Sequence, residues 1–467
     1  MKANAAQPGA TVRRPSEEDR DSRASDGWDL LLGCVAAFTV LAVARVHLLF
    51  PALDVVRPVL VFGALSVGLY LVSRHPARKF SLLIVGPVLL LLGFLGWMVM
   101  GTPFALRQGA TFYFIMESFT RTVALFLVVA GAVRSFRDVE RLTWFYFAGA
   151  VLYAAVLLVR FEVGEEATRL SDLYTYDAND FALLAVTAMP LGLYFLFRSG
   201  RSPLARTFDA AGLTVLLIAF VWSGSRGGFL ALLAAYLLFL LRFRGLPARW
   251  RVVGATVAAV VVTAVAGPQY WDRMGTMMSP LEDYNVTSPT GRMEIWDRGV
   301  GYMLDNPVFG VGAANFAAAE GILSPRAHLQ ELGIGIRRSA PHNSFLQVGA
   351  EMGFPGFFLF MAFLVSIFWT LLRVEGPRRG RSPPTALPRR AVLSEALVVS
   401  LAGFMVGAFF LSLAYSSMLY MLAALAVGLG KVSGAYTWSS GSASAHRPRW
   451  GGRAAGQLWS GADRTAT

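Results

Sequence analysis

The sequence predicts an all-α, polytopic integral membrane protein with about twelve transmembrane helices and one large loop between the ninth and tenth. Three observations carry that reading. Of 467 residues, 55% are hydrophobic and only 15% charged, a balance foreign to soluble domains. Apolar runs recur at about the 20-residue length that crosses a hydrocarbon core of about 30 Å. Lysines and arginines collect in short clusters between those runs, so the net charge of +13 reports membrane orientation and not a nucleic-acid partner.

The runs lie near 29–50, 56–73, 80–100, 112–133, 142–160, 179–198, 208–223, 227–243, 252–268, 354–373, 391–412 and 414–431. Residues 1–28, polar and mixed in charge, read as a disordered cytoplasmic tail followed by a retained span, since no small-residue cleavage site follows the first apolar run. Residues 29–268 are expected to hold nine helices, 269–342 an outer loop with amphipathic helices, 343–432 three more helices, and 433–467 a second disordered tail. The single cysteine, Cys34, excludes an internal disulfide.

Alternate connections differ sharply in basic content. The two tails and the loops 74–79, 134–141, 198–206, 242–251 and 373–390 carry 29 of the 42 Lys and Arg, which places them in the cytoplasm. The connections at 161–178 and 269–340 are expected outside.

Within the outer loop, Met293, Trp296, Val300, Met303 and Leu304 recur at helical spacing and predict one amphipathic helix. Glu294 and Arg298 fall on its opposite side as an i,i+4 surface pair, so loss of Arg298 is expected to be mild. Arg292 projects to the edge of the apolar arc beside Trp296, where a guanidinium is suited to an anion or serves as a surface anchor. Downstream, a helix beginning near Pro341 would align His342, Leu346, Gly349, Gly353 and Gly356 on one face. The imidazole there is a candidate base or simply a cap.

From Phe208 to Phe243 the chain is apolar except for Ser223–Gly228, and one helix of those 36 residues would be about 54 Å long. Two helices joined by a tight turn are therefore expected, with Arg226 on the outer side, either at a phosphate cradle or snorkelling to the interface. Tyr176–Ala182 opens the sixth span at the same side. Asp177 or Asn179 there is suited to capping the helix and Asp180 to complementing its dipole, or the group to binding an acceptor sugar. The five histidines are scattered, and no spacing resembles a metal site. Two outer arginines and one histidine suggest chemistry on a diphosphate: guanidinium forks bind it, and a neutral imidazole takes a proton from an attacking hydroxyl.

The strings SGSRGGFLAL (223–232), GRMEIWDRGVGYMLDNPVFGVGAANF (291–316) and APHNSFLQVGAEMGFPGFF (340–358), preceded by YDANDFA (176–182), resemble those of the O-antigen ligase and O-antigen polymerase superfamily of bacterial envelope proteins. The resemblance covers roughly residues 170–430 in order and spacing. It implies an inner-membrane glycosyltransferase that takes an undecaprenyl-diphosphate-linked glycan on the periplasmic face with neither metal nor other cofactor. Membrane lipids surround it, and envelope polysaccharide export proteins are candidate partners.

By position, Arg226 and Arg292 are expected to hold the diphosphate and His342 to activate the acceptor or assist departure of the leaving group. Trp296 and Asn343, with Asp177, Asn179 and Asp180, are expected to contact substrate, and Arg337 and Arg338 to help select the acceptor. A ligase would pass the glycan to lipid A-core or a similar acceptor; a polymerase would pass it to a second lipid-linked repeat. A secondary transporter of an anionic substrate is the rival reading, and the lack of repeated halves argues against it.

Overall fold

Long apolar runs with no internal polar break leave the backbone one way to satisfy its hydrogen bonds away from water, namely helices. A computed structural model describes residues 27–160, 176–279, 288, 291–325, 327, 339–375 and 388–436, and its regular elements are all helical. In chain order the principal helices are α1 (Leu30–Ala44), α2 (Pro58–Val72), α3 (Gly86–Phe104), α4 (Gln108–Ala132), α5 (Phe136–Arg160), α6 (Ala178–Phe197), α7 (Pro203–Ser223), α8 (Arg226–Arg242), α9 (Ala248–Val265), α10 (Pro268–Gly275), α11 (Arg292–Asp305), α12 (Phe316–Ile322), α13 (Ser344–Glu375), α14 (Arg389–Ala408) and α15 (Ser417–Val432). Among the described residues, eight are long and apolar enough to cross a bilayer, namely α3 to α7, α9, α13 and α14; α1, α2 and α15 are apolar but shorter. The architecture is that of a polytopic membrane protein. Both tails expected at 1–28 and 433–467 fall largely outside the described residues.

Helix α6 is apolar on every side and accordingly sits in the centre, packed against α5, α7, α8 and α14. Helix α15 is buried from Met418 to Gly430. By contrast α9 buries only Ala255 and presents an apolar outer surface.

Several boundaries differ from the sequence expectation for identifiable reasons. The first run, 29–50, stops being one helix at Ala44, where Arg45 adopts a left-handed conformation with φ 47°. The fourth helix begins earlier than expected, at Gln108, and widens into a π turn over Ile115–Phe119. Between α7 and α8, Gly224 takes φ 55°, which closes the tight turn ahead of Arg226.

The expectation for His342 is corrected. Asn343 caps α13 by accepting from the N–H groups of Phe345 and Leu346, each at 3.0 Å, so the helix starts at Ser344 and His342 lies outside it with φ 45°. Helix α13 also breaks at Gly353, with φ 65°, and His342, Gly353 and Gly356 therefore share no continuous helical face. The arc on α11 is corrected too: its buried residues are Ile295, Gly299 and Tyr302, while Met293, Val300 and Leu304 are exposed. Close approach decides this, because Gly299 lacks the Cβ that would meet Leu346 Cδ2 at 2.9 Å.

At one end of the bundle the basic loops are tied to acids. Arg78 pairs with Asp29 at 2.6 Å, and Arg134 bridges Asp29 and buried Asp138. Glu140 receives Arg198, Arg389 and the Tyr194 hydroxyl, Arg201 meets Asp209 at 2.8 Å, and Arg242 meets Glu375 at 2.8 Å. The loops that the basic-residue count groups together are thus neighbours in space.

At the break in α13 a Cβ on residue 353 would lie 2.6 Å from the Pro307 carbonyl oxygen. Gly353→Ala is expected to cost about 1–3 kcal/mol of stability, from the left-handed backbone together with that clash. A thermal unfolding midpoint in detergent equal to that of the unaltered protein would refute the account.

Candidate functional site

The end of the bundle opposite the ion-paired loops brings together three chain segments through short polar caps. At the start of α8, Ser225 Oγ accepts from the Gly228 N–H at 3.0 Å, and its own hydroxyl donates to Asn179 Oδ1 at 2.8 Å. Asp177 caps α6 by accepting from the N–H groups of Asn179 and Asp180 at 2.7 and 2.8 Å. The turn that carries Arg226 is therefore locked to the start of α6. Arg226 itself donates to Thr276 Oγ1 at 2.9 Å, on the segment that follows α10.

Arg292 occupies the first turn of α11, behind Gly291, which offers no side chain to cap it. One turn on, Trp296 Nε1 donates to the Pro341 carbonyl at 2.8 Å and so holds the residue before His342. The His342 N–H donates to Ser412 Oγ at 2.9 Å. Ser344 Oγ donates to the Leu411 carbonyl at 2.7 Å and accepts from the Leu413 N–H at 2.8 Å.

The turn between α14 and α15 is the common contact. Phe409 packs edge-on against Trp296 with ring centroids 5.3 Å apart, and Ser412 holds His342. Phe410 lies so close to Gly227 that a Cβ there would sit 3.1 Å from its own Cβ. One short segment thereby touches the immediate surroundings of Arg226, Arg292 and His342. Sequence reasoning had absorbed it into two spans; its only signal was the polar interruption Ser412, Tyr415, Ser416 and Ser417 between apolar runs.

Electrostatics favour a neutral imidazole. Burial pushes the His342 pKa below the ordinary histidine value, and the positive charge of Arg292 pushes in the same direction, while Asp177 opposes them. Arg292 and Asp177 thus each act electrostatically on His342, in opposite directions. A neutral ring can accept a proton, and the adjacent guanidinium can stabilise an anion. Among the described residues no three His, Cys, Asp or Glu side chains gather where they could hold a metal ion.

Two carboxylates missed by sequence reasoning support this frame. Buried Glu351 accepts from the N–H groups of Ala314 and Phe316 at 3.0 and 3.1 Å and from the Tyr415 hydroxyl at 2.8 Å. Glu320 meets Arg298 through a two-point contact at 3.0 and 2.7 Å and accepts from the Tyr302 hydroxyl at 2.8 Å. Arg298 thus keeps the i,i+4 pair with Glu294 at 3.9 Å, but its closer partner is buried Glu320 at 2.7 Å, so its loss is not expected to be mild. Glu351, a lone carboxylate within an apolar run, carried a usable signal; Glu320 carried none.

Of the residues expected to contact substrate, Asp177, Asn179, Trp296 and Asn343 use hydrogen bonds to hold the frame just described. Asp180 is half-buried on the first turn of α6. Arg337 and Arg338, and with them Arg326, lie outside the described residues.

Residues 211–361 match the family model described as O-antigen ligase. No curated protein matches the chain. The matched region runs from α7 to the middle of α13 and holds Arg226, Arg292 and His342, while Asp177 and the 409–412 turn lie outside it.

Replacing Arg298 with alanine would strand the fully buried Glu320 carboxylate without its cation, a change that costs about 3–5 kcal/mol for buried pairs. Thermal unfolding should therefore place Arg298→Ala well below Glu294→Ala. Equal midpoints for the two would show that the buried contact contributes nothing.

Proposed function

We propose that this chain, which by its 211–361 region belongs to the O-antigen ligase and polymerase superfamily, moves a glycan from an undecaprenyl-diphosphate carrier to an acceptor sugar at the periplasmic face of the bacterial inner membrane, without a metal. The coarser statement, a membrane glycosyltransferase of ligase or polymerase type, rests on that family match together with the apolar helices. The observation that carries the finer reading is the single turn 409–412, which contacts the neighbours of both arginines and the backbone of His342.

In this reading Arg226 and Arg292 hold the diphosphate, Arg226 from the glycine-rich start of α8 and Arg292 from the first turn of α11. Both helix N-termini add partial positive charge. The acceptor hydroxyl oxygen bonds to the anomeric carbon of the donor sugar. The carbon–oxygen bond to the diphosphate breaks, and its electron pair leaves with the diphosphate, whose growing charge the two guanidiniums stabilise. The hydroxyl proton passes to neutral His342 and then to solvent. Asp177, beside His342, tunes the imidazole; Trp296 and Asn343 fix the segment that carries it. Asn179 holds the Arg226 turn. Asp180, Arg337 and Arg338 remain assigned to the acceptor side.

The periplasmic placement rests on the asymmetry of basic loops, and both termini are accordingly cytoplasmic. Transfer to lipid A-core or a comparable acceptor is the first reading; a second lipid-linked repeat as acceptor uses the same donor chemistry. Cells lacking the protein discriminate the two. Accumulated full-length unattached chains are expected for a ligase, whereas accumulated single repeats would overturn that choice in favour of a polymerase.

His342→Ala should lower transfer on the order of 10²-fold or more at unchanged protein level. Because burial and Arg292 hold the imidazole pKa down, the acid limb of the rate profile should lie below the ordinary histidine range. Arg292→Gln removes a positive charge and should move the limb to higher pH. Asp177→Asn removes a negative charge and should move it lower. A limb that both variants leave in place would exclude His342 as the titrating base.

A further inference from the structure

A groove of about 660 Å³ opens between α1, α2 and α4, away from the residues so far discussed. Its walls are apolar, with Phe38 on α1, Leu60 and Val67 on α2, and Leu125 on α4. Gly63 of α2 faces Leu125 and Phe38, where a Cβ would make ordinary contacts at 3.5 and 3.7 Å. Charge gathers at Arg45, Arg57 and Arg121, and among the described residues of the lining the one carboxylate is Glu117, paired with Arg121. That volume is typical of a site for a small amphipathic ligand.

The backbone is unusual at these positions. Among the described residues four non-glycine residues have positive φ; one is His342, and two of the others are Arg45 at 47° and Arg57 at 46°. The π turn Ile115–Phe119 supplies Glu117 and Ser118 to the same lining. Left-handed non-glycine residues and π turns are costly and collect where function demands them. Three such features around one groove, in three separate helices or their flanks, point to a ligand.

The groove also communicates with the site above. The Arg45 guanidinium lies 3.8 Å from the centre of the Tyr176 ring, and Tyr176 directly precedes Asp177. Ser417, at the start of α15, lines the groove five residues after Ser412, the partner of His342.

We propose that this groove binds an anionic membrane lipid whose headgroup phosphate carries net negative charge, with the phosphate on Arg45, Arg57 and Arg121 and the first stretch of chain along Phe38, Leu60 and Val67, and that this lipid anchors the acceptor. Apolar walls give no reason to hold inorganic phosphate, and three arginines give no reason to hold a neutral lipid. The anchor role rests on the transferase reading; lipid binding does not.

The test uses the full chain in phosphatidylcholine nanodiscs with photoactivatable phosphatidic acid as probe. Labelling is expected within residues 57–67 and 117–125, to fall at least tenfold in the Arg57→Ala/Arg121→Ala double variant, to recover with lysine at both positions, and to resist millimolar inorganic phosphate. Equal labelling by photoactivatable phosphatidylcholine, loss to inorganic phosphate, or labelling indifferent to the double variant would each overturn the lipid site. In transfer assays the double variant should raise the acceptor KM about tenfold and shift the donor KM less than twofold; unchanged acceptor KM would overturn the anchor role. If the unaltered protein transfers no glycan, the transferase reading fails while the labelling still decides the groove.

Discussion

The placement of the site depends on how the break in α13 is satisfied. Ending a helical segment at Gly353 frees carbonyls that an apolar surrounding cannot solvate. Three of them find partners: Ala350 accepts from the Val311 N–H at 2.9 Å, Glu351 from the Gly312 N–H at 2.9 Å, and Met352 from Trp97 Nε1 at 3.0 Å. On the far side of the break the Phe354 N–H donates to the Pro307 carbonyl at 2.9 Å. The loop 307–316 is thus stitched into the gap as a substitute for the missing turn. Since α11 leads directly into that loop, the stitching sets where Arg292 stands relative to the start of α13 and therefore to His342. Gly310 and Gly312, both at positive φ, allow the loop backbone to approach α13 closely enough for those bonds.

Charge is distributed to match. At the opposite end the buried acids Asp138, Glu140 and Asp209 are saturated by arginines, which fastens the loops and leaves little capacity to bind another ion. Beside the site the cation Arg298 is likewise saturated by Glu320, and that pair braces α11 against α12. Arg226 donates to the Thr276 hydroxyl, which helps to hold the guanidinium at the start of α8.

Much of this was legible in the sequence because it depends on local rules. Apolar runs of bilayer length, glycine at the Arg226 turn and the amphipathic start of α11 each express themselves within a few residues. What escaped reading depends on contacts between distant segments. Asn343 rather than His342 begins α13, because an asparagine accepting from two N–H groups outcompetes its neighbour as a cap. The broken helix at Gly353 requires the loop 307–316, about forty residues earlier in the chain, to make a positive φ there tolerable. Arg298 looked like half of an ordinary i,i+4 pair, and only tertiary packing brings Glu320 closer than Glu294.

The turn from Phe409 to Ser417 joins these strands of argument. It packs edge-on against Trp296, abuts Gly227, bonds His342 through Ser412 and bonds Glu351 through Tyr415, and Ser417 reaches the groove between α1, α2 and α4. Glu351 in turn holds the N–H groups of Ala314 and Phe316, so the stitched loop and the turn are parts of one hydrogen-bonded unit. Such a unit ties the arginine-bearing helix starts to the segment that carries the imidazole. A reaction that needs two large, membrane-anchored substrates to meet within about 3 Å has to keep its reacting groups in register as each ligand arrives. Backbone groups, serine hydroxyls and one buried carboxylate hold that register.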